Sequence, residues 1–187
     1  CAKMAEKAGH KSLYLSGSGV ATASFGLPDL AITTSHDVAE DSRRITQATS
    51  LPLLVDIDTG FGGAFSISRT IKEMIAADVA AVHIEDQVTQ KRCGHRPNKS
   101  LVDTIEMSDR IKAAVDGRTD DSFFIMARTD SYATEGMNGA IERCKEYISA
   151  GADGLFLEAV SNLEDYKQLK DVLQVPVLAN ITEFGKT

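Results

Sequence analysis

Six short apolar runs constrain this chain more than anything else in it: 12–15, 52–57, 80–84, 123–127, 154–157 and 176–179. Each is rich in Val, Ile, Leu or Phe and too short to be a helix of its own, so each reads as a strand. Their hydrophobicity is continuous rather than alternating, which calls for cover on both faces and hence for a parallel sheet. Between them, 3.6-residue apolar periodicity predicts helices over roughly 36–49, 64–77, 103–116, 135–150 and 162–173. Strand and helix alternate at about 31 residues per unit, the size of a βα repeat.

Two helices run through near-identical punctuation into the next strand. Ala76-Ala77-Asp78 precedes Val82-His83-Ile84-Glu85, and Ala150-Gly151-Ala152-Asp153 precedes Leu155-Phe156-Leu157-Glu158; Ala8-Gly9 before Leu13 is a looser third copy. No linker or low-complexity stretch divides the chain, so 1–187 reads as a single α/β domain. Every strand ends in polar residues: Ser16, Asp56 and Asp58, Glu85-Asp86, Arg128 and Asp130, Glu158, and Asn180 onward. A doubly wound sheet would scatter these along a line, whereas a (β/α)8 TIM-type barrel gathers them on one face. A complete barrel takes about 250 residues, so the expectation is a barrel lacking about one βα unit at each end. The start agrees: residue 1 is Cys, and residues 1–9 read as the tail of a helix.

Composition closes off other classes. Twenty Lys and Arg against twenty-seven Asp and Glu leave a formal charge of −7, so no global positive field exists to hold nucleic acid or an anionic membrane. Charged residues break each apolar run well short of the ~18 residues that span a bilayer. Three cysteines, Cys1, Cys93 and Cys144, form no CxxC pair and make a poor disulfide framework. A reducing, cytoplasmic setting is expected.

Asp56 and Asp58 are two apart on a strand, hence on one face and ~7 Å apart. Two carboxylates at that distance repel by about 2.4 kcal/mol at an effective dielectric near 20, and a divalent cation reverses the sign. Oxygen ligands at a strand end suit Mg²⁺ or Mn²⁺ better than zinc, with water and substrate completing the coordination. The alternative is that one aspartate caps the following loop and the other faces solvent; Glu85 and Asp86 at the next strand end favour the cation. Gly60-Phe61-Gly62-Gly63 would let backbone approach a ligand or hinge a lid. Ser16-Gly17-Ser18-Gly19 sits in the same strand-to-loop position, where successive N–H groups could grip a carboxylate. It half matches a dinucleotide fingerprint, but Thr22 stands where that pattern needs its third glycine.

Lys91-Arg92-Cys93-Gly94-His95-Arg96 is a basic island in an acidic chain. Cations beside a thiol favour its thiolate and suit it to proton exchange near neutrality; the alternative is a solvated surface run or a phosphate contact. Cys144 is the contrast. With Met137, Ala140, Ile141 and Ile148 it falls on one helical face and reads as core. Arg128, Glu158, Asn180 and Thr182, at later strand ends, would together supply a carboxylate clamp, an acceptor and amide or hydroxyl donors, as a multiply charged small acid requires.

The run Lys91-Arg92-Cys93-Gly94-His95-Arg96-Pro97-Asn98-Lys99, preceded by His83-Ile84-Glu85-Asp86-Gln87, resembles the signature loop of the isocitrate lyase and phosphoenolpyruvate mutase superfamily. The resemblance continues in Tyr14-Leu15-Ser16-Gly17, in Asp56-Ile57-Asp58 with Gly60-Phe61-Gly62, in Met126-Ala127-Arg128-Thr129-Asp130, and in Leu178-Ala179-Asn180-Ile181-Thr182-Glu183, so it spans the chain. It implies an α/β barrel assembled as a homotetramer through C-terminal helices, and a need for Mg²⁺. It implies that Asp56 and Asp58 hold the metal, directly or through water, with Glu85 in its outer sphere. Ser16, Gly17, Ser18, Gly94, Arg128, Glu158, Asn180 and Thr182 would bind a small tricarboxylate, Cys93 would be the catalytic acid, and Tyr14 is a candidate base. The implied reaction is carbon–carbon cleavage of 2-methylisocitrate to pyruvate and succinate, a step of the methylcitrate route for propionate. Isocitrate cleavage or another enolate-forming reaction is the alternative within the superfamily; a non-catalytic barrel serving binding or assembly is the alternative outside it.

Overall fold

Each apolar run forms a strand: β1 Leu13–Leu15, β2 Leu53–Asp56, β3 Ala81–Glu85, β4 Phe124–Thr129, β5 Gly154–Leu157 and β6 Val177–Leu178. The structure, a computed structural model, describes residues 1–94 and 96–181. All strand pairs are parallel and the order is β1-β2-β3-β4-β5-β6. A doubly wound sheet reverses its order partway across; this one never does. The sheet is nevertheless open among the described residues, because β1 pairs only with β2 and β6 only with β5. The expected complete (β/α)8 barrel is therefore not what these residues form by themselves: six units are too few to close the ring.

The helices are α1 Ala2–Lys7, α2 Gly17–Gly19 running into a π-helical turn at Val20–Ser24, α3 Ser35–Thr46, α4 Ala64–Ile75, α5 Thr104–Gly117, α6 Tyr132–Ser149 and α7 Leu163–Leu173. Their starts are written locally. Thr34 and Asp37 form a reciprocal capping box ahead of α3; the Asp103 side chain accepts from the Glu106 N–H at 2.8 Å, and Asn162 from the Asp165 N–H at 3.0 Å. Where the two helix ends repeat their punctuation, Asp78 (φ 56°) and Gly151 (φ 111°) both turn left-handed and send the chain back into the sheet.

Side chains alternate across the strands. Leu53 and Val55, Val82 and Ile84, Ile125 and Ala127, and Leu155 and Leu157 share one side, and none is more than 1% exposed. They form one core with Ile67, Ile71 and Met74 of α4, Met107 and Ile111 of α5, Tyr147 of α6 and Leu169 of α7. Burying each such aliphatic contributes about 1.5–3 kcal/mol. Cys144 belongs to this core as expected, and burial pushes its thiol up to about 12.

Cover on both faces, which the continuous runs predicted, holds for the central strands, since His83, Glu85, Met126, Arg128 and Phe156 on the second side are also buried, but what is covered there differs. On that second side, Asp56 stands beside His83 and His83 beside Met126; two residues further on, Glu85 stands beside Arg128, Arg128 beside Phe156 and Phe156 beside Leu178. The second face is a charged wall.

Candidate active site

That wall borders a cavity of about 440 Å³ at the carboxyl ends of the strands. Tyr14, Ser16, Ser18, Asp56, Cys93, Gly94, Arg128, Glu158 and Asn180 all line it, so nine of the residues singled out in the sequence converge. Gly17 lies against the paired aspartates and donates its N–H to Asp56 at 3.1 Å. Asp58 and Glu85 are buried beside the cavity. Thr182 lies outside the described residues.

Two glycine-rich loops behave differently from expectation. The N–H groups of Ser16-Gly17-Ser18-Gly19 do not form an open grip, since Gly17 is committed to Asp56 and Gly19 donates to the Ser16 hydroxyl at 3.4 Å. This segment is the capped first turn of a short helix, and the serines face the cavity. Gly60 has a packing reason of its own: at φ +93° a Cβ there would lie 2.4 Å from Ile67, so the turn needs glycine to fold onto α4.

Charge dominates the site. Asp56 also accepts the Asp58 N–H at 3.0 Å. Burial works against its ionisation, but His83, Arg128, Lys91 and the Asp58 N–H together hold the carboxyl below its usual range. His83 contributes only while protonated, and burial pushes its imidazole down to about 4. Asp58 is pushed up to about 6 by burial and then by Asp56, against an ion pair with Lys91 at 2.8 Å. Burial drives Glu85 well above the carboxylate range although its Oε2 is 3.3 Å from Arg128, and its Oε1 has no hydrogen-bond partner. Arg128 is shared among Asp130 at 2.9 Å, Glu85 and Glu158 at 3.8 Å, and lies 5.1 Å over the Phe156 ring. Tyr14 is 48% exposed on the edge strand, yet its hydroxyl turns inward to His83 Nε2 at 2.9 Å; burial of that end, with Asp56 nearby, raises the phenol.

Buried charge is dense here. Among the described residues, four carboxylates, Asp56, Asp58, Glu85 and Asp130, crowd against Lys91, Lys99 and Arg128, and Asp29 adds to them. A proton or a dication would ease that crowding. The donor set fits a hard dication: Asp56 Oδ2 and Asp58 Oδ1 lie 3.2 and 3.1 Å from where a Cβ on Gly17 would sit, so the two carboxylates approach each other beside that glycine, where Lys91 now supplies the positive charge at 2.8 Å from Asp58 Oδ1; one Glu85 oxygen in the same acidic set has no hydrogen-bond partner. No group of three or more His, Cys, Asp or Glu placed to ligate occurs among the described residues.

The cysteine loop is folded inward. Its stem closes through Val88 N–H to Ser100 O and Val102 N–H to Asp86 O, both 2.9 Å. The Gln87 side chain pairs with both backbone groups of Arg92 at 2.9 and 3.0 Å. The basic island is solvated only in part: Arg92 and Arg96 are exposed, whereas Lys91 is buried on Asp58 and Asp29, and Lys99 beyond the island ends on Asp130. Gly94 is pressed so close that a Cβ would lie 2.3 Å from Arg128 Nη2 and 2.4 Å from Glu158 Oε1. Sequence reasoning missed Asp29, His83, Lys91, Phe156 and Leu178 as parts of this site. His83 and Phe156 carried a signal, each lying two residues before a singled-out acid and so on the same face; Asp29, in an aperiodic loop, carried none.

The profile of the phosphoenolpyruvate phosphomutase family matches residues 1–186. The 2-methylisocitrate lyase of Shewanella oneidensis is 63% identical over 186 residues, covering all of this chain and 64% of that protein. The enzyme of that name from Escherichia coli is 59% identical, with 63% of its length covered. The chain thus spans a little under two thirds of these curated relatives. Among solved structures, a 2,3-dimethylmalate lyase superposes with a TM-score of 0.94 at 39% identity over 99% of this chain and 63% of that one. A phosphonopyruvate hydrolase in complex with oxalate and Mg²⁺ gives 0.80 at 30% identity, over 94% and 62%.

Proposed function

The chain belongs to the phosphoenolpyruvate phosphomutase family, and on that premise we propose that it carries the active site of a Mg²⁺-dependent carbon–carbon lyase that cleaves 2-methylisocitrate to pyruvate and succinate. One juxtaposition carries the reading: a loop thiol, Cys93, and the strand-end carboxylate Asp56 border the same cavity as Arg128.

Asp56 and Asp58 would hold the cation, with Glu85 reaching it through water; bound there, Mg²⁺ supplies a Lewis acid that lowers the pKa of the substrate's 2-hydroxyl. Arg128 offers charge to the remaining carboxylates, and Ser16, Ser18 and Asn180 offer donors. Tyr14, whose hydroxyl is held 2.9 Å from His83 Nε2, is the base that takes the hydroxyl proton. The hydroxyl oxygen becomes the ketone of pyruvate as the C–C bond breaks, and the electron pair leaves with the carbon of an aci-succinate. Cys93 delivers its proton to that carbon.

The test is full-length protein assayed with a coupled dehydrogenase. Pyruvate from 2-methylisocitrate should exceed glyoxylate from isocitrate and vanish with chelator. Glyoxylate in excess reassigns the substrate, and neither product replaces the lyase with a binding or assembly module.

We infer in addition that 1–187 acts as one catalytic domain, and that further βα units close the edges β1 and β6 into a (β/α)8 barrel. The protein would then work as a cytoplasmic homotetramer. The unreversed strand order supports closure, and no described helix is long and apolar enough to cross a membrane.

A further inference from the structure

Above its stem, the described residues of the cysteine loop form no helix or strand to fix it, yet catalysis by a thiol acid demands a fixed approach. Two lysines take the place of regular structure, one on each arm. Lys91 anchors the ascending arm at the aspartate pair. Lys99 anchors the descending arm, and its contacts fall elsewhere. Its ammonium, with the side chain 4% exposed, donates to the Gly94 carbonyl at 2.6 Å and pairs with Asp130 Oδ1 at 2.7 Å. Gly94 directly follows the thiol-bearing residue.

Asp130 is a rigid anchor. It is fully buried, its N–H donates to Asp86 at 3.0 Å, and Asp86 is held in turn by the Thr129 hydroxyl at 2.6 Å and the Tyr147 hydroxyl at 2.9 Å. The same Asp130 grips Arg128 Nε at 2.9 Å and Nη2 at 3.3 Å. One carboxylate therefore fixes the guanidinium on the cavity wall and, through Lys99, the backbone beside Cys93.

We propose that Lys99 is a positioning residue: by bridging the Gly94 carbonyl to Asp130 it holds the cysteine loop down and sets the distance between Cys93 and whatever Arg128 binds. The catalytic part of this statement rests on the proposed lyase reading; the structural part does not.

The experiment uses full-length Lys99→Gln, which keeps length and a neutral donor, beside Lys99→Arg, which keeps the charge. The first readout is steady-state cleavage of 2-methylisocitrate. The second, independent of turnover, is alkylation by iodoacetamide followed peptide by peptide, with the core thiol Cys144 as internal control for unfolding. Because a misplacement near 1 Å can cost about 10²-fold, K99Q should lose about 10- to 100-fold in kcat with KM within about threefold. Its Cys93 should alkylate about tenfold faster while Cys144 stays silent, as a local opening requires, and K99R should restore both. Unchanged kcat and alkylation in K99Q overturn the proposal, as does Cys144 reacting in step with Cys93. A rise in KM at constant kcat overturns it too, since that marks a substrate contact. If the wild type cleaves nothing, the lyase reading fails, and the alkylation arm alone decides whether Lys99 holds the loop.

Discussion

The two faces of one sheet are built from neighbouring residues and do opposite things. Val55, Val82 and Ile125 are aligned across β2, β3 and β4 and vanish into an apolar core; Asp56, His83 and Met126, one position along, begin a wall dense in buried charge. The first face gains free energy from every methyl it hides. The second gives some of it back, because a carboxylate such as Glu85 is desolvated with one oxygen unpartnered. Stability and chemistry are thus separated by one step along a strand, and the separation can be attacked from either side.

The largest effect should come from the charged side. Cys93→Ser removes the proposed general acid, so kcat should fall about 10²- to 10⁴-fold with an unchanged melting temperature; a comparable loss of stability would show that the faces are not separable. From the apolar side, Ile111→Ala should cost about 2–5 kcal/mol in chemical denaturation while KM for the substrate stays put.

A third outcome concerns the crowded carboxylates themselves. Asp58 has a folded-state pKa near 6, raised from 3.8, so its protonated form is the one that folding favours. That contribution is fully present below pH 4 and is lost as pH rises through 6, at most about 3 kcal/mol. Thermal melts of chelated protein should therefore weaken over that window, and Mg²⁺ should restore stability at pH 7.5 but not at pH 4. Equal response to Mg²⁺ at both pH values would count against Asp58 as a ligand. The smallest effect lies on neither face: Asn162→Ala deletes the cap of α7 and should cost about 1 kcal/mol without touching turnover.

Much of this layout could be read from sequence because it is local. Ala64, Thr104 and Leu163 begin helices within a residue or two of the predicted starts, and caps such as Asp103 and Asn162 sit beside the groups they satisfy. The strand-end acids were legible as residue types, but period two does not place them: β2 ends at Asp56, and Asp58 lies beyond it in a left-handed turn (φ 48°) whose N–H donates to Asp56 Oδ1. What escaped was non-local. Lys91 meets Asp29 across 62 positions, and Lys99 meets Asp130 across 31; a basic run gives no hint of which distant acids will claim it. The turn at Val20–Ser24 escaped for another reason: its glycine-rich approach reads as loop, and only Ser16 capping and the aspartates beneath Gly17 make it a helix.

Tyr14 and Leu178 belong to the cavity wall, and they also ride on the two outermost strands. Order at the margins of the sheet therefore shapes the cavity as well as the scaffold. Fraying there would be felt first as a misplaced phenol, long before the helices on the far side loosen, so catalytic competence should fade at lower temperature than helical content does.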